Sequence, residues 1–272
     1  MTATDGASRP LVTYELRGAV ALVGLDRQEK RNAISDAVIE ALAQAIARAE
    51  REARAGVIFG HGPNFSAGLD LGEHSVKDAM GSVKGSRRWH AVFAEMERGT
   101  IPWVAALSGA VVGGGLELAV SAHLRVAEPD AFFALPEGQR GIFVGGGGAV
   151  RIARLIGAAR MGDMMLTGRV ATAEEAMAWG LVQYAASQGE GLARAVELAA
   201  RAAENAEMSN YAVINALSRI QDMSSEDGLF LESIMSALTT TTPDAQARLR
   251  DFLEKRARRL EVPKGSPGAG DG

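Results

Sequence analysis

The chain has 272 residues, of which 47% are hydrophobic and 23% are charged, so it is long enough to bury a large core. Its net charge of −4 excludes an overall positive field that would attract nucleic acid or an anionic membrane. The absence of cysteine excludes disulfides, thiolate metal sites and a cysteine nucleophile. No leader-like segment precedes Leu11 and no apolar run approaches the ~18 residues of a membrane span, so we expect a cytoplasmic protein.

The first half of the chain alternates between strand and helix patterns. Two apolar runs split by Arg17 and Gly18 predict a hairpin over residues 11–25. Ser35 can cap a helix that the apolar spacing extends to Glu52. Further strands at 57–59, 104–107 and 124–127, with a helix at 116–121, favour an α/β core with crossover helices.

From residue 148 onward the patterns are almost wholly helical. The apolar spacing predicts helices at 150–156, 161–166, 173–179, 191–206, 209–220, 226–239 and 243–260. Beyond Val262 the chain has no apolar anchor, which predicts disorder.

Two glutamates lie beside backbone that glycine or proline shapes. Glu117 follows a run of three glycines, and Glu137 follows Pro136. A carboxylate near unpaired N–H donors at the start of a helix can move protons while the donors stabilise an oxyanion. Leucines flank Glu117, so we expect burial that raises its pKa. The alternative interpretation of each glutamate is a surface carboxylate or one at the start of a helix.

Two backbone N–H groups are candidate oxyanion donors. Gly68 would let the chain turn so that the N–H of Leu69 faces a ligand, and the glycine run provides the N–H of Gly114. A glycine run can equally mark tight helix packing or a phosphate loop. Dinucleotide, nucleotide and serine-hydrolase motifs are absent from the sequence, which disfavours those functions.

The chain resembles the crotonase superfamily of enoyl-CoA hydratases and isomerases, and the resemblance extends from Leu11 to Arg259. Five ordered segments carry the resemblance: LDRQEKRNAI at 25–34, FSAGLDL at 65–71, GGGLEL at 113–118, PE at 136–137, and LTG, AEEA and GLV within 166–182. The resemblance implies an α/β fold with a crotonase-like spiral of ββα turns and a helical C-terminal trimerisation region. The implied organisation is a flexible N-terminus at 1–10, a spiral core at 11–200, a helical region at 201–260 and a disordered tail at 261–272.

The resemblance also implies an enoyl-CoA hydratase that acts on acyl-CoA in fatty acid metabolism. The N–H groups of Leu69 and Gly114 would hold the thioester oxygen, Glu117 would activate water, and Glu137 would deliver a proton to Cα. Coenzyme A is then part of the substrate, and no separate cofactor is needed. The residues that would lie near it are Arg27, Lys30, Ala33, Ala67, Asp70, Leu71, Gly113 and Lys255. The resemblance further implies a homo-oligomer, a trimer or a dimer of trimers.

Other outcomes on the same scaffold stay open. Thioester hydrolysis after hydration, or isomerisation, would reuse the same residues, and a non-catalytic CoA- or RNA-binding protein is a further alternative. Phe143 and Val144 stand where relatives carry a more polar segment, and we expect them to tighten the acyl site. Trp89 and Phe93 are expected to pack in the core. The four histidines lack metal-ligand spacing, so no metal is expected, and no basic segment with interleaved aromatic residues indicates a nucleic-acid partner.

Overall fold

The structure is a computed structural model that describes residues 9–72, 78–254 and 256. Its residues form two compact units that divide between Ser218 and Arg219. Of the predicted flexible N-terminus, Arg9 and Pro10 are described, and the predicted tail at 261–272 lies outside the described residues. The predicted boundary between residues 200 and 201 stays a prediction. None of the described helices is long and apolar enough to cross a bilayer.

The structure contains nine strands and eleven α-helices within its described residues. The strands are β1 (Val12–Arg17), β2 (Val20–Leu25), β3 (Ala55–Gly60), β4 (Trp103–Leu107), β5 (Ala110–Val112), β6 (Leu124–Ala127), β7 (Phe132–Ala134), β8 (Val170–Thr172) and β9 (Tyr184–Ala185). The helices are α1 (Asp36–Glu52), α2 (Ala79–Arg98), α3 (Gly114–Ala119), α4 (Gly148–Ile156), α5 (Ala158–Thr167), α6 (Ala173–Ala178), α7 (Gly191–Ala203), α8 (Glu207–Ala212), α9 (Ser218–Ile220), α10 (Ser225–Thr240) and α11 (Pro243–Leu253).

Two sheets organise the first unit. The larger sheet has the strand order β1-β2-β3-β4-β6-β9, in which only the β1–β2 pair is antiparallel. The smaller sheet has the order β5-β7-β8. Consecutive β4-β5-α3 and β6-β7-α4 segments each place their first strand in the large sheet and their second in the small one. This repeated path is the ββα spiral that the resemblance implies.

The large sheet is buried on both faces because its apolar residues point alternately to either side. Val57 and Val104 pack with α7 on one face, whereas Ile58 and Ala105 join the main core on the other. The helix α1 begins at Ser35, whose side chain accepts the N–H of Val38, so the predicted cap is confirmed.

Three predicted helices end or change earlier than the sequence pattern indicates. The predicted helix at 191–206 ends at Ala203, where the Arg54 side chain donates to the carbonyl oxygens of Ala203 and Asn205. The predicted helix at 209–220 contains a π-helical turn at Val213–Leu217, where buried Asn215 donates to the carbonyl oxygen of Gly99.

The predicted helix at 243–260 is also too long, because α11 ends at Leu253. Glu254 caps α11, and its backbone N–H donates to the carbonyl oxygen of Arg250. The N–H of Arg256 donates to the carbonyl oxygen of Asp251, five residues earlier, so the helical hydrogen-bond pattern is not continued there. Positions 255 and 257–260 of that prediction lie outside the described residues.

Candidate active site

A cavity of about 490 Å³ in the first unit contains both predicted glutamates and both predicted oxyanion donors. Its described lining also includes residues from α2 and from the loop before α4. The lining residues are Asp36, Leu69, Ser82, Val83, Gly85, Ser86, Arg87, Trp89, Gly114, Glu117, Glu137, Ile142, Phe143, Val144, Gly145 and Gly146. The sequence-predicted catalytic group is therefore assembled in one place from three separate segments, because Gly114 and Glu117 share α3.

The two predicted donors, Leu69 and Gly114, are held close together by tight backbone contacts. Gly68 has φ of +88°, and a Cβ on it would lie 3.2 Å from the nitrogen of Gly114. A Cβ on Gly114 would in turn lie 3.5 Å from the nitrogen of Leu69. Neither N–H donates a hydrogen bond to any residue that the structure describes. Both donors are thus available to one carbonyl oxygen of a ligand.

Hydrogen bonds on either side of Leu69 orient its N–H. The Ser66 hydroxyl donates to the carbonyl oxygen of Asn32 at 2.7 Å and accepts the N–H of Gly68 at 3.1 Å. The Ile34 backbone accepts from Asp70 and donates to Gly68, which gives Leu69 a parallel bridge to Ile34. The loop is therefore fixed before a substrate arrives.

Glu117 projects from α3 into a turn made of glycines. Its side chain is buried, and Oε1 accepts the N–H groups of Gly146 at 2.8 Å and Gly148 at 2.7 Å. A Cβ on Gly148 would lie 2.9 Å from this carboxylate, so the glycines leave the space that Glu117 occupies. Burial raises the pKa of Glu117 although the backbone hydrogen bonds oppose it, as we expected from its leucine neighbours.

Glu137 lies on the other side of the cavity, against the glycine run. A Cβ on Gly113 would lie 2.5 Å from Oε1 of Glu137, and Gly113 itself has φ of +51°. The buried Oε2 atom has no hydrogen-bond partner among the described residues. Burial raises the pKa of Glu137, and repulsion from Glu117 raises it further. Glu137 is therefore a carboxyl group whose pKa is raised and that lies beside the glycine run that carries the predicted donor Gly114.

Two side chains hold the turn that binds Glu117, and the sequence patterns did not single them out. Ser86 donates to the carbonyl oxygen of Gly145 at 2.6 Å, and Arg151 donates to that of Gly146 at 3.0 Å. Arg151 also pairs with Glu97 at 2.8 Å, and its charge lowers the pKa of Glu117 against the effect of burial. Glu97 and Arg151 are far apart in the sequence, so no local spacing signals their contact.

The residues that the resemblance placed near CoA lie around Asp70. Arg27 is buried and donates to Asp70 at 2.8 Å and to the carbonyl oxygen of Ala33 at 3.1 Å. Lys30 reaches the same Asp70 oxygen at 3.0 Å, with 43% of its side chain exposed. Of the two cations, Lys30 is thus the more accessible to a phosphate in solvent.

The other predicted CoA contacts fall into three groups. Ala67 donates its backbone N–H to the carbonyl oxygen of Arg31, and Leu71 is exposed at the end of the same loop. Gly113 supports Glu137, as described above. Lys255 lies outside the described residues.

The aromatic residues of α2 divide between the core and the cavity. Phe93 is fully buried, which agrees with its predicted packing role. Trp89 contacts Phe93 edge to face at 5.6 Å between ring centroids, but it also lines the cavity. A Cβ on Gly114 would lie 2.7 Å from the Trp89 ring, so the indole packs directly against an oxyanion donor. Phe143 and Val144 line the cavity, as expected.

The described residues contain no group of three or more histidine, aspartate and glutamate side chains placed to hold a metal ion. His123 instead accepts the backbone N–H of Trp103 at 2.9 Å, and burial lowers its pKa to about 4. The neutral imidazole therefore acts as part of the core. His74 lies outside the described residues.

Comparison with known proteins decides the family. The sequence profile of the family described as enoyl-CoA hydratase/isomerase matches residues 15–261. The chain belongs to this family. The predicted membership of the crotonase superfamily is therefore confirmed, and the protein is a crotonase-family enzyme of the enoyl-CoA hydratase/isomerase type.

Individual relatives match over nearly the whole chain. Enoyl-CoA hydratase EchA19 of Mycobacterium tuberculosis is 30% identical over 92% of this chain and 96% of that protein. A crystal structure from Rhodopseudomonas palustris CGA009, described provisionally as an enoyl-CoA hydratase, has a TM-score of 0.88 and 46% identity over 90% of this chain and 95% of that one. Enoyl-CoA hydratase from Thermoplasma volcanium GSS1 has a TM-score of 0.84 and 31% identity over 92% and 98% of the two chains. These similarities confirm the predicted fold class and its helical C-terminal region.

Proposed function

We propose that this enzyme adds water across the 2,3 double bond of an acyl-CoA thioester. The observation that carries the proposal is that two buried carboxyl groups and two unpaired backbone donors line the same cavity. Conjugate addition of water requires a base for water at Cβ, an acid for Cα, and donors for the charge that develops on the thioester oxygen. Glu117, Glu137, Leu69 and Gly114 supply these functions.

The thioester carbonyl oxygen accepts the N–H groups of Leu69 and Gly114. The two donors polarise the carbonyl group and draw electron density from Cβ, which makes Cβ susceptible to attack. Removal of one such donor typically reduces the rate about 10²- to 10³-fold. The tight packing of Gly68 and Gly114 keeps both N–H groups in place, so they need little rearrangement during the reaction.

Glu117 takes a proton from water as the water oxygen bonds to Cβ. Its Oε1 atom is held by two backbone N–H groups, which keeps the carboxylate oriented and moderates the rise in its pKa. The electrons of the 2,3 double bond move to form an enolate, whose oxygen is held by Leu69 and Gly114. Glu137 then donates its proton to Cα, which restores the thioester and completes addition of one water molecule.

Hydration is favoured over isomerisation because two buried carboxyl groups, Glu117 and Glu137, line the cavity. Moving a double bond within the acyl chain needs one group that removes a proton and returns it, whereas water addition uses a base and an acid at different carbons. Glu117 and Glu137 both line the cavity, and burial raises the pKa of each, so both carboxyl groups are suited to proton transfer with a bound substrate.

The proposal is tested by giving the purified enzyme equal concentrations of but-2-enoyl-CoA and but-3-enoyl-CoA and separating the products by chromatography. A hydratase converts the 2-enoyl thioester to a hydroxyacyl-CoA. Formation of but-2-enoyl-CoA from the 3-enoyl isomer without hydration would instead establish an isomerase. Free CoA with a hydroxy acid would establish hydrolysis after hydration, and binding without any product would establish a non-catalytic role.

We also propose that Lys30 and Lys255 contact the phosphates of CoA, while buried Arg27 positions Asp70. Arg27 donates to Asp70 and to the carbonyl oxygen of Ala33, so its charge is used inside the protein. Lys30 has an exposed side chain that can turn from Asp70 toward an anion. Replacing Lys30 by glutamine should raise KM several-fold with little change in kcat. An unchanged KM would remove Lys30 from the CoA site.

We propose a homotrimer, or a dimer of trimers, as the assembled state. The second unit exposes large apolar side chains on α10 and α11, including Phe230 and Leu253, each 70% exposed. Exposed apolar surface of this kind is typical of protein interfaces. Native mass spectrometry should give three or six copies of the chain, and a monomer at micromolar concentration would contradict the proposal.

A further inference from the structure

One cation lies among the described residues that line the catalytic cavity. Arg87, on α2, is exposed and forms no hydrogen bond or ion pair with any described residue. The next residue, Arg88, pairs with Glu40 and is absent from the cavity lining. Two neighbouring arginines on one helix therefore differ: among the described residues Arg88 has a carboxylate partner, whereas Arg87 has none and lines the cavity.

Arg87 lines the cavity from the part of α2 that leads away from Trp89. Trp89 packs against the oxyanion donor Gly114 and marks the position of the thioester. Arg87 precedes Trp89 by two residues, which is about 3 Å along the helix axis, and α2 continues for about 10 Å from Trp89 back to Ser82. Arg87, Ser86 and Val83 line the cavity along this length. The segments assigned to CoA, by contrast, adjoin Leu69 through its bridge to Ile34.

The wall around Arg87 is otherwise mainly apolar. Val83, Ile142, Phe143 and Val144 line the same cavity, which suits a hydrocarbon chain. A guanidinium in such a wall is suited to a carboxylate, because its planar N–H groups can bind both carboxylate oxygens. A nearby apolar wall also strengthens that pairing relative to the same contact in water.

The carboxyl groups of the protein that line the cavity do not prevent a substrate carboxylate from binding to Arg87. Asp36, Glu117 and Glu137 line the cavity with Arg87. Oε1 of Glu117 accepts two backbone N–H groups, whose dipoles offset its charge, and burial together with repulsion from Glu117 raises the pKa of Glu137. The cavity is consequently less negative than its residue composition alone indicates.

We propose that Arg87 determines specificity by binding a carboxylate at the far end of the acyl group. The substrate would then be a 2-enoyl-CoA whose chain ends in a carboxylate instead of a methyl group. This inference rests on the proposed hydration and refines its substrate class.

The test compares two six-carbon 2-enoyl-CoA thioesters that differ at the terminal carbon, one with a methyl group and one with a carboxylate. The wild-type enzyme should have a kcat/KM at least about tenfold higher for the carboxylate-ended substrate, as expected for a charge-assisted bidentate contact. Arg87→Gln should remove this preference, and Arg87→Lys should restore part of it. Arg88→Gln is the matched control and should leave the ratio unchanged.

A wild-type enzyme that prefers the methyl-ended chain, or an Arg87→Gln variant that keeps the wild-type ratio, would overturn the proposal. Failure of the proposed function is recognised separately, because neither thioester would then be hydrated. In that case calorimetry measures the Kd of two saturated six-carbon thioesters, one that ends in a methyl group and one that ends in a carboxylate. If wild type and Arg87→Gln bind both ligands with equal Kd values, the proposed role of Arg87 is overturned.

Discussion

Replacing Glu117 by glutamine is expected to stop catalysis without disturbing the turn that holds this side chain. Oε1 of Glu117 accepts N–H groups at 2.7 and 2.8 Å, and the carbonyl oxygen of glutamine can accept both. The substitution therefore removes the proton acceptor and keeps its hydrogen-bonded position. Loss of a general base typically reduces the rate about 10²- to 10⁴-fold, so we expect at least about a 10²-fold fall in kcat.

The same substitution should leave the protein as stable or more stable. Burial raises the pKa of Glu117, so the folded state retains this proton to a higher pH than the unfolded chain does. Above the unfolded pKa, the ionised carboxylate therefore reduces the free energy of unfolding, and a neutral amide avoids this effect. The neutral amide accepts weaker hydrogen bonds from the two backbone N–H groups than the carboxylate does, which offsets part of the gain in stability. We expect a net gain on the order of 1 kcal/mol, which corresponds to a Tm increase of about 2–4 °C.

The assay measures kcat for but-2-enoyl-CoA and Tm for each variant at neutral pH. Glu128→Gln is a matched control, because Glu128 is also buried and accepts two backbone N–H groups, from Gly189 at 2.9 Å and Gly191 at 2.8 Å. Glu128 is absent from the catalytic cavity lining, so its variant should retain activity. A Glu117→Gln enzyme with more than a tenth of the wild-type kcat would refute the role of Glu117 as the base.

Three further predictions concern the surroundings of the site. Arg151→Gln should raise the pKa of Glu117, because the arginine charge lowers it, and should therefore move the acid limb of the pH profile of kcat/KM to higher pH. Arg151→Lys should move the limb partly back, and a limb that does not move in Arg151→Gln would contradict this electrostatic role. Gly114→Ala should reduce kcat at least about 10²-fold, because its Cβ would lie 2.7 Å from Trp89 and displace an oxyanion donor; near-normal kcat in a folded variant would exclude Gly114 as a donor. His123 is half-buried and its pKa is lowered to about 4, so the unfolded chain takes up its proton first and the free energy of unfolding should fall by about 3 kcal/mol as the pH falls from about 6.5 to 4. Urea unfolding should show this loss in the wild type and less of it in His123→Gln, and equal losses would contradict the assignment.

The sequence predicted the elements whose patterns are long or locally capped. Ser35 precedes a helix with a clear apolar period, and α1 begins there. The strands β5, β7 and β8 have three residues each, which is too short for a period of two to be recognised. They form only because the small sheet pairs segments that are distant in the sequence. The long helix α2 was not predicted, since its glycines and charges obscure its buried residues.

The residues of the catalytic group could be predicted from the sequence more completely than the residues that hold them in position. Gly68 and Gly113 signalled unusual backbone, and Glu117 followed the glycine run directly. The pairing of Arg151 with Glu97 joins α4 to α2, and sequence spacing carries no information about such a contact. Long-range packing likewise determines that Arg27 is buried against Asp70 while Lys30 stays accessible.

The central claim is that this enzyme adds a water oxygen to Cβ of a 2-enoyl-CoA thioester. The most direct measurement is mass spectrometry of the product formed from but-2-enoyl-CoA in ¹⁸O-labelled water. The account predicts an intact hydroxyacyl-CoA that carries one ¹⁸O atom at Cβ, and no labelled product from Glu117→Gln on the same timescale. Unchanged but-2-enoyl-CoA, or a label found only in the carboxylate of a released acid, would contradict it.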